Sequence, residues 1–229
     1  MASLSLLVPV FNEIARIEQA LEEIRTAELP VASRELIVVD DGSTDGTREL
    51  LRSRSWPDEI TVHFHDRNRG KGAAVQTALA HATGTYTAIM DADLEYDTAE
   101  YGRLLEPLED GRAHVVFGVR GFESHAAYNF WYVMGNKFVT HATNVLYNTW
   151  LADIMTCQKV MPTELFRSLP LRERGFGVEP EITARLLRKG IRIYEVPISY
   201  NSRGREEGKK LTSLDGLRVL RTLVRCRVT

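Results

Sequence analysis

The sequence has little of what marks several protein classes. Its 229 residues include only two cysteines, Cys157 and Cys226. They lie far apart, in no metal-binding or redox spacing, which excludes a disulfide scaffold and points to a reducing, cytosolic setting. No apolar run reaches the roughly 18 residues needed to span a bilayer. The opening Met-Ala-Ser-Leu-Ser has no basic stretch and its apolar run breaks at Pro9, so no secretory signal is expected. A soluble chain is the expectation. Neither sign of charge dominates: 29 basic against 31 acidic side chains leave a net charge of −2. That argues against a nucleic-acid binder held by an overall positive field. Internal repeats and linker-like stretches are also missing.

What is present is an ordinary globular composition, 44% hydrophobic and 26% charged, of a length that suits one large domain. Short β-branched runs alternate with helical patterns through the first two-thirds. Strands are predicted at 4–10, 35–39, 60–64, 86–90 and 114–119, with helical stretches at 13–27, about 44–54, 71–82 and 98–108. The 35–39 strand is a continuous apolar run, as expected of one buried on both faces. This rhythm predicts an α/β fold with a mostly parallel sheet and right-handed crossovers, in which ligands sit beyond the carboxyl ends of the strands. From 125 to 150 the chain is helical and aromatic-rich. A strand near 158–161, a helix at about 179–188, a strand at 191–199 and a basic amphipathic helix at about 213–226 follow.

The residues that follow the predicted strands carry the chemistry. Pro9-Val10-Phe11-Asn12-Glu13 ends the first; the competing reading makes Asn12 the cap of the next helix. Asp40-Asp41-Gly42-Ser43-Thr44-Asp45-Gly46-Thr47 follows the second. Adjacent carboxylates at the end of a buried strand are costly unless paired with donors or a ligand, and a ribose or a base N–H would serve. Asp91-Ala92-Asp93 follows the fourth, with Glu95 just beyond. Two carboxylates at this spacing converge on one hard cation only if the backbone turns there, and oxygen-only ligands favour Mg2+ or Mn2+, which accept phosphate oxygens as further ligands. Arg67-Asn68-Arg69-Gly70-Lys71-Gly72 lacks the phosphate-loop spacing and reads equally well as a solvated basic turn into the third helix.

Together these segments resemble the ordered signature of family-two glycosyltransferases with the GT-A fold. In the second half, Val119-Arg120, Asp153-Ile154-Met155-Thr156-Cys157-Gln158-Lys159, Gly175-Phe176-Gly177-Val178-Glu179-Pro180-Glu181 and Val196-Pro197-Ile198-Ser199-Tyr200, with Arg203 and Lys209, resemble the dolichyl- or polyprenyl-phosphate sugar synthase branch. The resemblance runs over nearly the whole chain, so one domain over 1–229 is expected: residues 1–120 bind the nucleotide sugar and 121–229 the acceptor.

The resemblance implies that Pro9, Phe11, Glu13, Val39 and Asp41 bind the nucleoside of a UDP- or GDP-linked hexose. Phe11 stands where Tyr is frequent. Asp91, Ala92 and Asp93 would hold the diphosphate, Asp91 and Asp93 with the metal, and Glu95 replaces a common Gln beside the sugar. Arg120, Arg203 and Lys209 match positions that contact phosphates, against the competing reading of a solvated basic face. Transfer inverts the anomeric carbon. A lipid-phosphate acceptor is already anionic and leans on positioning. A neutral hydroxyl on a soluble acceptor needs a carboxylate base, with Asp153 first and Glu179 second. On the last helix, Leu214, Leu217, Leu220 and Val224 share a face beside Arg218, Arg221 and Arg225, which suits peripheral contact with an anionic membrane as well as packing on the sheet. Many relatives continue into membrane-spanning helices, whereas this sequence stops at Thr229, which weakens the lipid reading. No nucleic-acid partner is expected.

Overall fold

The computed structural model describes residues 2–121, 130–201 and 213–228. In chain order its elements are β1 (Ser3–Val10), α1 (Ile17–Thr26), β2 (Ser33–Asp40), α2 (Thr47–Ser53), β3 (Ile60–Phe64), α3 (Lys71–His81) and β4 (Tyr86–Ile89). A 3-10 turn then leads into α4 (Tyr101–Glu109), followed by β5 (Val116–Arg120), α5 (Phe130–Tyr147) and β6 (Lys159–Pro162). The chain closes with α6 (Thr163–Arg167), α7 (Val178–Arg188), β7 (Tyr194–Ile198) and α8 (Ser213–Val228). The strands build one seven-stranded sheet in the order β3-β2-β1-β4-β6-β5-β7. Both halves of the chain contribute to it.

The sheet is mostly parallel, as the strand-helix rhythm requires, with one departure. β6 runs antiparallel to both β4 and β5, so the fifth strand does not join the fourth by a simple crossover. It is separated from it by a strand arriving about 40 residues later in sequence. Pairing across that distance leaves no trace in local periodicity.

The site is positioned by the point where strand order reverses. From β1 the chain steps outward to β2 and β3, then returns to place β4 on the other side of β1. Parallel sheets open a crevice at such a switch, beyond the carboxyl ends. The registers Val10↔Asp40 and Leu7↔Ile89 bring the ends of β1, β2 and β4 close together. Leu36 to Val39 and Leu6 to Val8 are fully buried, so the strands beneath the crevice are anchored in the main core. A second cluster, including Val139, Ile154, Ala184, Val219 and Leu223, joins α5, α7 and α8.

Two helices differ from expectation in informative ways. α1 begins at Ile17 rather than near Glu13. The amides of Asn12, Glu13 and Ile14 are taken by Ser43 Oγ, Thr47 Oγ1 and Asp45 Oδ2, and Asn12 itself adopts a φ of +54°. Its Oδ1 accepts from Thr44 N at 2.9 Å, so Asn12 ties the first loop to the second. On α8 the packing face is Val219, Leu223 and Cys226, while Leu217 and Val224 are 66% and 51% exposed. Of the apolar stripe read from the sequence, Leu217 and Val224 therefore look outward, while Leu220 is partly buried against the second cluster. Among the described residues no helix is long and apolar enough to cross a membrane.

Candidate active site

A cavity of about 370 Å3 opens at the switch point. Of the residues singled out from sequence, Pro9, Phe11, Glu13, Asp41, Asp91, Ala92, Asp93, Glu95, Arg120 and Glu179 line it. Val39 does not: it is fully buried within β2, beside Pro9 in register. Asp153 does not line it either, and Arg203 and Lys209 lie outside the described residues.

The two carboxylates after β2 have separate tasks. Asp40, fully buried, accepts from Ser43 N at 3.2 Å and from Arg48 Nε at 2.8 Å, closing its own loop. Asp41 faces the cavity. Its Oδ1 lies 2.6 Å from His65 Nδ1 and accepts from Arg69 N at 2.9 Å, and Oδ2 accepts from Gly70 N at 2.7 Å. A carboxylate offers about four acceptor positions, so Asp41 pins the 66–70 turn and keeps capacity toward the cavity. Gly42, at φ +76°, lets that turn approach: a Cβ there would sit 2.3 Å from the carbonyl carbon of Arg67.

After β4 the backbone does turn. Leu94 takes a φ of +61° and Asp93 Oδ1 accepts from Glu95 N at 3.1 Å. Both Asp91 and Asp93 face the cavity. Among the described residues no group of three or more His, Cys, Asp or Glu side chains gathers to hold a metal by itself. Two carboxylates suit a hard cation that draws its other ligands from water and a substrate diphosphate. The structure shows that a cation is welcome here: Lys71 Nζ lies 2.8 Å from each oxygen of Asp91 and 2.5 Å from Glu179 Oε1. Burial alone would pull the Lys71 ammonium down, but the charges of Asp91 and Glu179 raise its pKa well above the ordinary lysine value. Its proton is held firmly.

The opposite wall is a chain of polar contacts. Arg120 Nε and Nη2 donate to the two oxygens of Asp153 at 2.6 and 2.9 Å, with both side chains almost fully buried. The Arg120 guanidinium lies 5.1 Å from the Tyr200 ring centre, and Tyr200 OH donates to Glu95 Oε2 at 2.6 Å. Tyr96 packs against Tyr200 at 5.1 Å. Asp153 also accepts from Met155 N at 3.0 Å. It is paired with Arg120 and is not among the residues that line the cavity.

Lys71, Asn68, Tyr96, Tyr200, Met155, Cys157 and Phe176 complete much of the wall and were not assigned to it from sequence. The Arg67 to Gly72 segment carried the signal for Lys71, yet its spacing matched no phosphate loop. Its cause is tertiary: Gly72 allows close approach, since a Cβ there would meet Glu173 O at 2.3 Å. That contact seats the start of α3 against the segment before α7.

The profile described as "Glycosyl transferase family 2" matches residues 5–169. Glycosyltransferase AglJ of Haloferax volcanii is 28% identical over 214 residues, covering 93% of this chain and 67% of the relative. The low-salt glycan biosynthesis hexosyltransferase Agl6 of the same organism is 26% identical over 212 residues, covering 88% of this chain and 48% of the relative. The chain thus spans about two thirds and one half of these relatives. Among solved structures, glucosyl-3-phosphoglycerate synthase from Mycobacterium tuberculosis with Mn2+, UDP-glucose and glycerol 3-phosphate superimposes with a TM-score of 0.74 at 22% identity, covering 99% of this chain and 80% of that one. At that identity the likeness establishes the fold.

Proposed function

Because the chain belongs to glycosyltransferase family 2, we propose that its cavity binds a nucleoside-diphosphate hexose and passes the sugar, with inversion, to a polyprenyl-phosphate acceptor. One observation carries the donor half of this reading: Asp41, Asp91 and Asp93, from the ends of two parallel strands, converge on one cavity with Phe11 and Glu13.

The roles follow from position. Pro9, Phe11 and Glu13 form the nucleoside end, with the Phe11 ring as an apolar face for the base and the remaining capacity of Asp41 turned to it. Asp91 and Asp93 are the residues to hold Mg2+ or Mn2+, which when bound neutralises the diphosphate and makes it a better leaving group. The Mn2+ and UDP-glucose in the M. tuberculosis structure support a divalent ion and a nucleotide sugar. Lys71 brings a cation that already touches Asp91 and Glu179, and it takes up leaving-group charge if it turns to the diphosphate. Arg120, fixed by Asp153, presents positive charge to an anionic acceptor or donor phosphate. Asp153 serves as a positioning residue. Glu179 lines the cavity and is the carboxylate for a proton when the acceptor is a neutral hydroxyl. Residues 1–120 supply the donor contacts and the later residues the acceptor side, with Arg203 and Lys209 assigned to phosphates through their family positions.

The outward Leu217 and Val224, beside exposed Arg218 and Arg221, support peripheral contact with the cytosolic face of an anionic membrane. The test combines calorimetry of UDP and GDP in Mg2+ or Mn2+ with a donor screen on a polyprenyl phosphate and on water-soluble alcohols. Transfer to the polyprenyl phosphate is expected. Transfer only to a soluble acceptor overturns the lipid assignment while leaving the donor site standing.

A further inference from the structure

On the outer side of α3 lies a second cavity, about 380 Å3 in volume, rimmed by Arg69, Arg174, Gln76, Thr77 and His81 over a floor of α3 alanines. No Asp or Glu lines it. Arg69 and Arg174 are exposed, and among the described residues neither guanidinium has an ion-pair partner. A cavity of one sign with no internal counter-charge attracts an anion.

The two arginines are held in place by their backbones. Gly70, at φ +96°, lies so close to the Arg174 carbonyl that a Cβ would meet its oxygen at 2.4 Å. Ala73 N donates to the same oxygen at 3.0 Å, and Gln76 Nε2 donates to Glu173 O at 2.9 Å. The turn carrying Arg69 and the segment carrying Arg174 are therefore seated on one another, with both exposed side chains at the rim of the cavity. Two planar forks arriving from separate segments suit a phosphoryl group, which accepts from both at once.

The same two segments wall the donor cavity from the other side. Asn68 and Gly70 line that cavity from one, Gly175 and Phe176 from the other. A third link passes through the interior: Thr77 Oγ1, on the rim of the second cavity, lies 2.9 Å from His65 Nε2, whose Nδ1 lies 2.6 Å from Asp41 Oδ1.

We propose that this second cavity is a site for a small soluble phosphorylated molecule, held between Arg69 and Arg174, and that its occupancy alters the affinity of the neighbouring cavity for nucleotide. The binding claim is independent of the donor assignment; the coupling claim rests on it.

Inorganic phosphate is the probe, titrated calorimetrically without divalent metal. Binding is expected to weaken roughly tenfold or more in an Arg69→Gln/Arg174→Gln variant and to persist in Asp91→Asn. Equal binding by wild type and the double variant, or loss of binding in Asp91→Asn alone, overturns the site. Saturating phosphate is expected to change the UDP or GDP dissociation constant about fivefold or more, with no change in the double variant. Thr77→Val should keep phosphate binding and lose that shift. A nucleotide affinity that phosphate leaves unmoved in the wild type overturns the coupling. Phosphate binding without binding of either nucleotide would leave this site intact and count against the donor assignment.

Discussion

Arg120 and Asp153 meet in a two-point ion pair, 2.6 and 2.9 Å, at the rear of the candidate active site. Only Arg120 reaches the cavity. Removing one member of a buried pair strands the other charge, at a cost of about 3–5 kcal/mol. Asp153→Asn is therefore expected to lower stability in denaturant unfolding and to lower kcat/KM about as much as Arg120→Gln does. The pH profile separates the roles: with Asp153 positioning Arg120, the variant keeps the acidic limb of the wild-type profile. Loss of that limb would mark Asp153 as the base.

Lys71 Nζ lies 2.8 Å from both oxygens of Asp91, a carboxylate that would hold the metal in the proposed function. Lys71→Met removes that competing cation. Binding of Mn2+ alone, followed by electron paramagnetic resonance, is expected to tighten roughly tenfold, equivalent to about 1.4 kcal/mol. Turnover should fall in the same variant, because the ammonium is no longer present when the diphosphate departs.

Lys159 is fully buried, 3.8 Å from the Phe117 ring centre, and donates to Ile154 O at 3.0 Å. Burial pushes its pKa down to about 8, against partial recovery from Asp153 and Glu179. Between that value and the ordinary lysine value the unfolded chain binds more protons here than the folded one, so this residue makes stability rise with pH across the interval. Below it both states are protonated and the desolvation cost is complete. Chemical unfolding at a series of pH values should show this rise in the wild type and lose it in Lys159→Met.

Gly42→Ala should act at a distance. The substitution strains a φ of +76° and drives a methyl group into the backbone of Arg67 and Asn68. A loss of about 1–3 kcal/mol is expected. Nucleotide affinity should weaken with it, because the displaced turn carries the Arg69 and Gly70 amides that hold Asp41. Calorimetry with UDP and GDP checks the second effect.

What could be read in the sequence was local. The 60–64 strand and the start of the 71–82 helix match β3 and α3, because apolar periodicity reports the face an element buries. The carboxylates after β2 and β4 were legible because strand ends in a parallel sheet converge on one crevice. The antiparallel β6 was not, since its partners lie far away in sequence. Lys71 was missed for a related reason: its meaning depends on meeting Asp91 and Glu179 in space. For Asp153, the residue type and setting were visible, but its two-point pairing with Arg120, 33 residues earlier in the chain, was not.

The most direct test of the proposed function is transfer of hexose from UDP- or GDP-linked donors, with Mn2+ or Mg2+ present, by the wild type and by Asp91→Ala, Asp93→Ala and the double variant. The expected result is a rate lowered roughly a thousandfold or more in each, in variants that circular dichroism shows to be folded. Transfer at the wild-type rate in these variants would contradict the assignment of the donor site.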